Sequence, residues 1–279
     1  MRPAVHTAAP ARPGCGPQTP CSPLRRHASV LRSEARKLAT VRSTYWALAA
    51  VAVSNIAVAA LLAVVLGGHM SAQQKTNIDS VRVSLGGLHL SQVAIGVLGV
   101  LAVTSEYGTG MIRATLAAVP ERRLLLAAKA AVLTAAALVT ATASCFAAYY
   151  AFQSLLPAGD PMRTSLGDPG VLRAVTGAGL YLTVLGLLGL GLGAVIRSSA
   201  GAIATLLGLL FVPTLLASLL PQSWQNSIGG YLPMNAGEAV IIIRHQTGTL
   251  QPWAGLGVFC LYAAAALTAG FVLITRRDA

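Results

Sequence analysis

The chain has 279 residues, of which 55% are hydrophobic and only 10% charged, against about 25% charged in a typical soluble domain. Its formal charge of +12 is spread between long apolar runs and is not gathered on one polar domain, which argues for a membrane protein and against a nucleic-acid-binding one. Once those runs are set aside, no stretch remains that is long enough for a separate soluble domain of roughly 50 residues or more.

Residues 1–28 contain six prolines and two glycines and almost no large apolar side chain. Such a segment buries too little surface to offset the entropy of ordering, so a disordered cytoplasmic tail is expected. Arg25 and Arg26 mimic a twin-arginine export signal, but Arg32, Glu34, Arg36 and Lys37 interrupt the apolar core that such a signal requires. His6, Cys15, Cys21 and His27 match no established zinc spacing.

From Ser29 the character changes. Leu31, Ala35, Leu38, Val41 and Tyr45 recur at three- and four-residue intervals, while Arg32, Arg36, Lys37 and Arg42 take other positions. This is the pattern of an amphipathic helix lying on the membrane surface, its cations on anionic headgroups and Tyr45 and Trp46 in the interfacial belt.

Six runs free of Lys, Arg, Asp and Glu follow, each able to hold a spanning helix of roughly 20 residues. The expected spans are 47–67, 85–104, 130–152, 174–196, 200–220 and 253–275. The predicted fold is therefore an all-α integral membrane protein whose six-span domain covers 29–279.

Placing the N-terminus inside puts fifteen Lys and Arg residues on the cytoplasmic side and leaves five outside, namely Lys75, Arg82, Arg163, Arg173 and Arg244. The positive-inside rule selects that orientation, with both termini cytoplasmic. The fourth span is rich in glycine, and its Gly189 and Gly193 form a small-xxx-small pair that predicts close helix packing. Between the fifth and sixth spans, Tyr231 to Ile243 is too apolar for a plain loop and too short to cross, so a segment re-entering the outer leaflet is expected.

The sequence holds no Gly-x-x-x-x-Gly-Lys-Ser/Thr loop, so any ATP is bound and hydrolysed by another chain. The spans contain no Asp or Glu. His69, His89 and His245 fall near the outer face, and Ser91 is too close to His89 along a helix to face it as a catalytic partner. No catalytic residue, cofactor site or metal site is assigned, and the chain is not read as an enzyme. Within the spans Ser54, Asn55, Gln92, Thr134, Thr140, Thr142 and Thr183 either line a path or hydrogen-bond between helices.

The densest polar interruption runs from Ser105 to Lys129, with Glu106, Arg113, Glu121, Arg122, Arg123 and Lys129 between two apolar runs. Tyr107, Gly108, Thr109 and Gly110 form a loop, a short helical stretch follows, and Pro120 limits it before the chain re-enters the membrane. Glu106 is placed to accept backbone N–H groups at the start of that short helix, and Lys129 reaches back toward the headgroups. Arg122 and Arg123 suit either lipid phosphates or acidic residues of a docked protein.

This order of features resembles the permease subunits of ATP-binding-cassette (ABC) exporters of the type-2 permease family, particularly the small six-span kind of actinobacteria. The resemblance rests on the basic stretch Ser33 to Thr44, on Ser105 to Tyr107, Gly110, Ile112, Arg113, Thr115, Leu116, Pro120, Arg122, Arg123 and Lys129, and on Arg276 to Asp278. It implies that Glu106 through Arg123 form a cytoplasmic coupling helix docked on a separate ABC ATPase subunit, which binds the ATP and Mg. Glu106, Tyr107, Gly108, Gly110, Arg113, Thr115, Pro120, Arg122 and Arg123 would carry that contact. Leu31, Arg36, Lys37, Leu38 and Arg42 would belong to a membrane-surface connecting helix. A second permease copy, a bacterial plasma-membrane location and a small-molecule or lipid substrate are implied as well. Glu121 departs from the basic residue often found there. The alternative is a membrane-embedded sensor or assembly subunit that docks an ATPase without moving a substrate.

Overall fold

The computed structural model describes residues 23–108, 122–243 and 248–276, with the side chains of 23–28, Ala72 and Arg122 left aside. Among these residues the chain is all-helical. Six helices are long and apolar enough to cross a membrane. In chain order the α-helices are α1 (Pro23–Thr40), α2 (Arg42–His69), α3 (Ala72–Thr76), α4 (Ser80–Ser84), α5 (Leu88–Gly108), α6 (Arg122–Leu155), α7 (Val171–Ile196), α8 (Ser199–Ala217), α9 (Gln222–Ile228), α10 (Pro233–Glu238) and α11 (Pro252–Arg276).

The six expected spans coincide with α2, α5, α6, α7, α8 and α11, but their ends differ. Charge had marked the expected edges, whereas the helices run on through charged residues that snorkel or find partners. Thus α2 starts at Arg42, α5 continues past Glu106 to Gly108, and α6 takes in Lys129. At 34 residues, α6 is about 51 Å long, well beyond a hydrocarbon core of about 30 Å. The first helix begins at Pro23, inside the stretch read as a tail. A single extended residue, Val41, separates α1 from α2.

The bundle is built around α7, whose apolar window is 67% buried, against 22% for each of α2, α8 and α11. Glycines make this centrality possible. A Cβ at Gly99 of α5 would run into the Gly186 carbonyl of α7, and one at Gly189 would meet the Gly96 carbonyl. The two backbones therefore touch, which maximises dispersion contacts where lipid offers no hydrophobic drive to association. Gly193 lies over Val100 and Thr104 of the same neighbour. The small-residue pair read from α7 is thus half of a two-helix device, and Gly96 and Gly99 supply the rest.

Polar side chains inside the spans tie helices together. Asn55 donates from Nδ2 to Ser144 Oγ at 2.9 Å, Ser54 and Ser91 hydroxyls meet at 2.8 Å, and the Tyr181 hydroxyl donates to Gln92 Oε1 at 2.6 Å. Thr134 and Thr183 donate to carbonyls one turn back in their own helices, and Thr142 packs on Gly179.

At the end of the bundle opposite Gly108, the segment after α8 winds through α9, a 3-10 turn (Gly229–Tyr231), α10 and a second 3-10 turn (Ala239–Ile241). Its apolar side packs between α7 and α11: Gly237 rests on the Tyr181 ring, Val240 on Gly177, and Ala239 on Gly255. Asp79 caps α4 with Oδ1 and accepts the Ile243 N–H with Oδ2 at 3.2 Å. Arg173 donates to the Ile242 carbonyl at 2.9 Å. At this end too, Lys75 and Asp160 form a buried pair at 2.6 Å.

Candidate functional site

The candidate site lies at the end of the bundle that carries the polar stretch from Ser105 to Lys129, the elbow, where α1, α5 and α6 meet. Glu34 is the only acid among the cations of α1, and the helix turns it inward until it is 3% exposed. Glu106 comes from the last turn of α5 and Lys129 from the start of α6, and both are buried. Lys129 Nζ donates to Glu106 Oε1 at 2.6 Å and to Glu34 Oε2 at 2.8 Å. From α1, Lys37 Nζ adds bonds to Glu34 Oε1 at 2.7 Å and Glu106 Oε1 at 3.1 Å.

Two carboxylates and two ammoniums therefore balance in one cluster. Partial burial pulls the Lys37 ammonium down, but its hydrogen bonds to Glu34 and Glu106 outweigh that and hold it above the ordinary lysine value. The cluster is expensive to desolvate and expensive to break, since removing one partner strands a buried charge. Its geometric effect is clear. It fastens the last turn before residues 109–121 and the first turns after them to each other and to α1.

A second set of contacts holds the same end of α5 from the other side. The Tyr107 ring lies under the Arg197 guanidinium, 5.2 Å from its centre. Arg197 caps α7 in the left-handed region at φ 59°, and Ser199 donates to Thr104 Oγ1 at 2.8 Å. The tight turn between α7 and α8 is thereby joined to the base of the elbow. A cation over a tyrosine face is worth about 0.5–2 kcal/mol, depending on exposure.

The expected coupling residues thus divide. Glu106 joins the ion cluster, its Oε1 accepting from Lys129 and Lys37, and the short helix it was expected to cap lies outside the described residues. Tyr107 is directed to Arg197. Gly108 ends α5 with open space where a Cβ would stand, and Arg123 is exposed. Gly110, Arg113, Thr115 and Pro120 lie outside the described residues, as does the Arg122 side chain. On α1, Leu31 and Arg36 are exposed and Leu38 is half-buried, whereas Arg42, expected on the same connecting helix, is exposed at the start of α2 because Val41 breaks the helix before it. Sequence reading missed Glu34 as a member of this site. Its signal was a lone acid three residues before Lys37 on an otherwise basic helix.

Beneath α1 the cluster opens onto a cavity of about 360 Å³ whose other walls include Leu38, Val41, Leu98, Leu101 and Ala102. Glu106 Oε2 is buried and has no hydrogen-bond partner among the described residues. At the opposite end, Glu238 faces Arg82 at 3.9 Å and His89 at 3.4 Å beside a polar cavity of about 340 Å³. In comparison with known proteins, no family model matches this chain and no curated protein matches it.

Proposed function

We propose that this chain is the permease subunit of an ABC exporter of the type-2 permease kind, driven by ATP hydrolysis on a separate ATPase subunit. The observation that carries the reading is the buried cluster of Glu34, Lys37, Glu106 and Lys129. A partner pressing on residues 109–121 would act on α5 and α6 together, and through Lys129 and Lys37 on α1. The Tyr107–Arg197 and Ser199–Thr104 contacts would pass the same displacement to α7 and α8. Coupling further requires that the ATPase bind two arrangements of the bundle with different affinity.

In this reading the elbow end is cytoplasmic in a bacterial plasma membrane, α1 lies on the inner surface, and Mg-ATP resides on the partner. The segment from Tyr231 to Ile243 re-enters the outer leaflet, sheltered between α7 and α11. The sparsely buried faces of α2, α8 and α11 are available for lipid and for a second permease copy, with substrate passing between the two copies.

The test is reconstitution with the ATPase that co-purifies with the tagged chain, followed by ATP-dependent uptake of labelled compounds into inside-out vesicles. Arg113→Ala is expected to insert normally yet lose ATPase co-purification or ATP-dependent uptake. Unchanged uptake in that variant would overturn the docking role of the elbow, and ATP hydrolysis with no flux of any compound would favour a sensor.

A further inference from the structure

The cavity beneath α1 joins apolar walls to the Glu106 side chain, one of whose oxygens has no donor among the described residues. Leu98, Leu101 and Ala102 of α5 form one side and Leu38 and Val41 the other, while Glu106 contributes to the polar end. Oε1 of Glu106 accepts from two ammoniums, yet Oε2 is buried and accepts from nothing among the described residues. A buried carboxylate oxygen without a donor is costly, and any group that supplies the donor gains that cost back as binding. Because the cluster already balances its formal charges, what the site lacks is donor capacity.

Lys37 is the replaceable member. Its side chain is 38% exposed, against 8% for Lys129, and its bond to Glu106 is the longer of the two. We propose that the cavity binds an amphiphilic amine, with the alkyl chain among Leu98, Leu101 and Ala102 and the ammonium displacing Lys37 from Glu106 so that one of its N–H groups reaches the unsatisfied Oε2. An anionic head would meet the carboxylates of Glu34 and Glu106 and is disfavoured. A cavity of this volume lies at the small end of those that enclose single ligands. Displacing Lys37 would loosen α1 from α5 while Lys129 still holds α5 to α6. The consequence for the elbow rests on the coupling role proposed above, whereas the binding itself does not.

The experiment measures equilibrium binding of radiolabelled decylammonium to the purified full chain in phosphatidylcholine nanodiscs, with empty nanodiscs subtracted. Saturable binding is expected, with decanol and decyl sulfate competing at least about tenfold more weakly, as loss of a charged hydrogen bond implies. Glu106→Gln should weaken binding by about tenfold and Lys37→Gln should strengthen it. Ala102→Phe fills the cavity while leaving every charge of the ion cluster in place and should abolish saturable binding, which covers the case in which Glu106→Gln does not fold. Equal competition by decanol and decyl sulfate, or full binding by Ala102→Phe, would overturn the site. Neither result would bear on ATP-dependent transport. Loss of transport with binding intact would count against the exporter reading alone.

Discussion

Glu106 Oε1 and Lys129 Nζ stand 2.6 Å apart, one on the last turn of the helix entering the elbow and the other near the start of the helix leaving it. The described residues on either side of 109–121 are therefore clamped to each other by an ion pair, and Glu34 and Lys37 extend the clamp to α1. Under the coupling role proposed above, a push on that stretch would reach both flanking helices at once.

Removing Lys129 leaves two buried carboxylates facing each other with only the partly exposed Lys37 between them. Lys129→Met should lower stability by about 3–5 kcal/mol, the usual result of breaking a buried pair on one side. Adding Glu34→Gln removes one of the stranded charges and should recover part of the loss. Thermal unfolding of the single and double variants in detergent provides the cycle, and strictly additive effects would contradict a shared cluster.

The two charged centres should respond to opposite extremes of pH. For Lys37 the folded value lies above its ordinary 10.5, so its stabilising contribution is complete below that value and is lost as pH rises through the higher folded one. For Asp160 burial works to raise the carboxyl, but the hydrogen bonds from Lys75 and the Met162 N–H outweigh it and hold the group below its ordinary 3.8. That contribution is complete above the ordinary value and is lost as pH falls through the lowered one. Unfolding curves across pH should show an alkaline loss missing in Lys37→Gln and an acid loss missing in Asp160→Asn.

Much of this architecture is legible in the sequence because Lys, Arg, Asp and Glu leave gaps long enough for six helices, and those gaps coincide with α2, α5, α6, α7, α8 and α11. The helix ends are not legible, since Arg42, Glu106 and Lys129 continue helices that their charge seemed to terminate. Nor is the cluster, because Glu34 and Lys129 are 95 residues apart and no local period connects them. Gly189 and Gly193 announced a close contact, but only the folded chain shows that Gly96 and Val100 receive it and that Gly99 adds a second one at Gly186.

That glycine contact yields a steric prediction. Gly99→Leu or Gly189→Leu would drive a side chain into the backbone of the facing helix and should cost at least about 1–3 kcal/mol, with the helices forced apart. Gly208→Leu or Gly257→Leu, where nothing stands within 4 Å of the new Cβ, should be tolerated. Yield of folded protein by size-exclusion chromatography, together with melting temperature, separates the two classes. Equal behaviour would refute the direct backbone contact of α5 with α7.

The buried polar pairs within the spans should matter far less than the cluster. Asn55 donates to Ser144 but leaves its own Oδ1 without a partner, so it carries an uncompensated acceptor along with its one useful bond. Interhelical hydrogen bonds in membranes contribute about 0.6 kcal/mol on average, and replacing a half-satisfied amide with an apolar group of similar shape relieves part of the burial cost. Asn55→Leu should therefore shift unfolding by no more than about 1 kcal/mol, well short of the effect of Lys129→Met. If Asn55→Leu proved as destabilising as Lys129→Met while leaving the detergent-solubilised protein monodisperse, the dominant polar tie in the bundle would lie between α2 and α6, not at the base of the elbow.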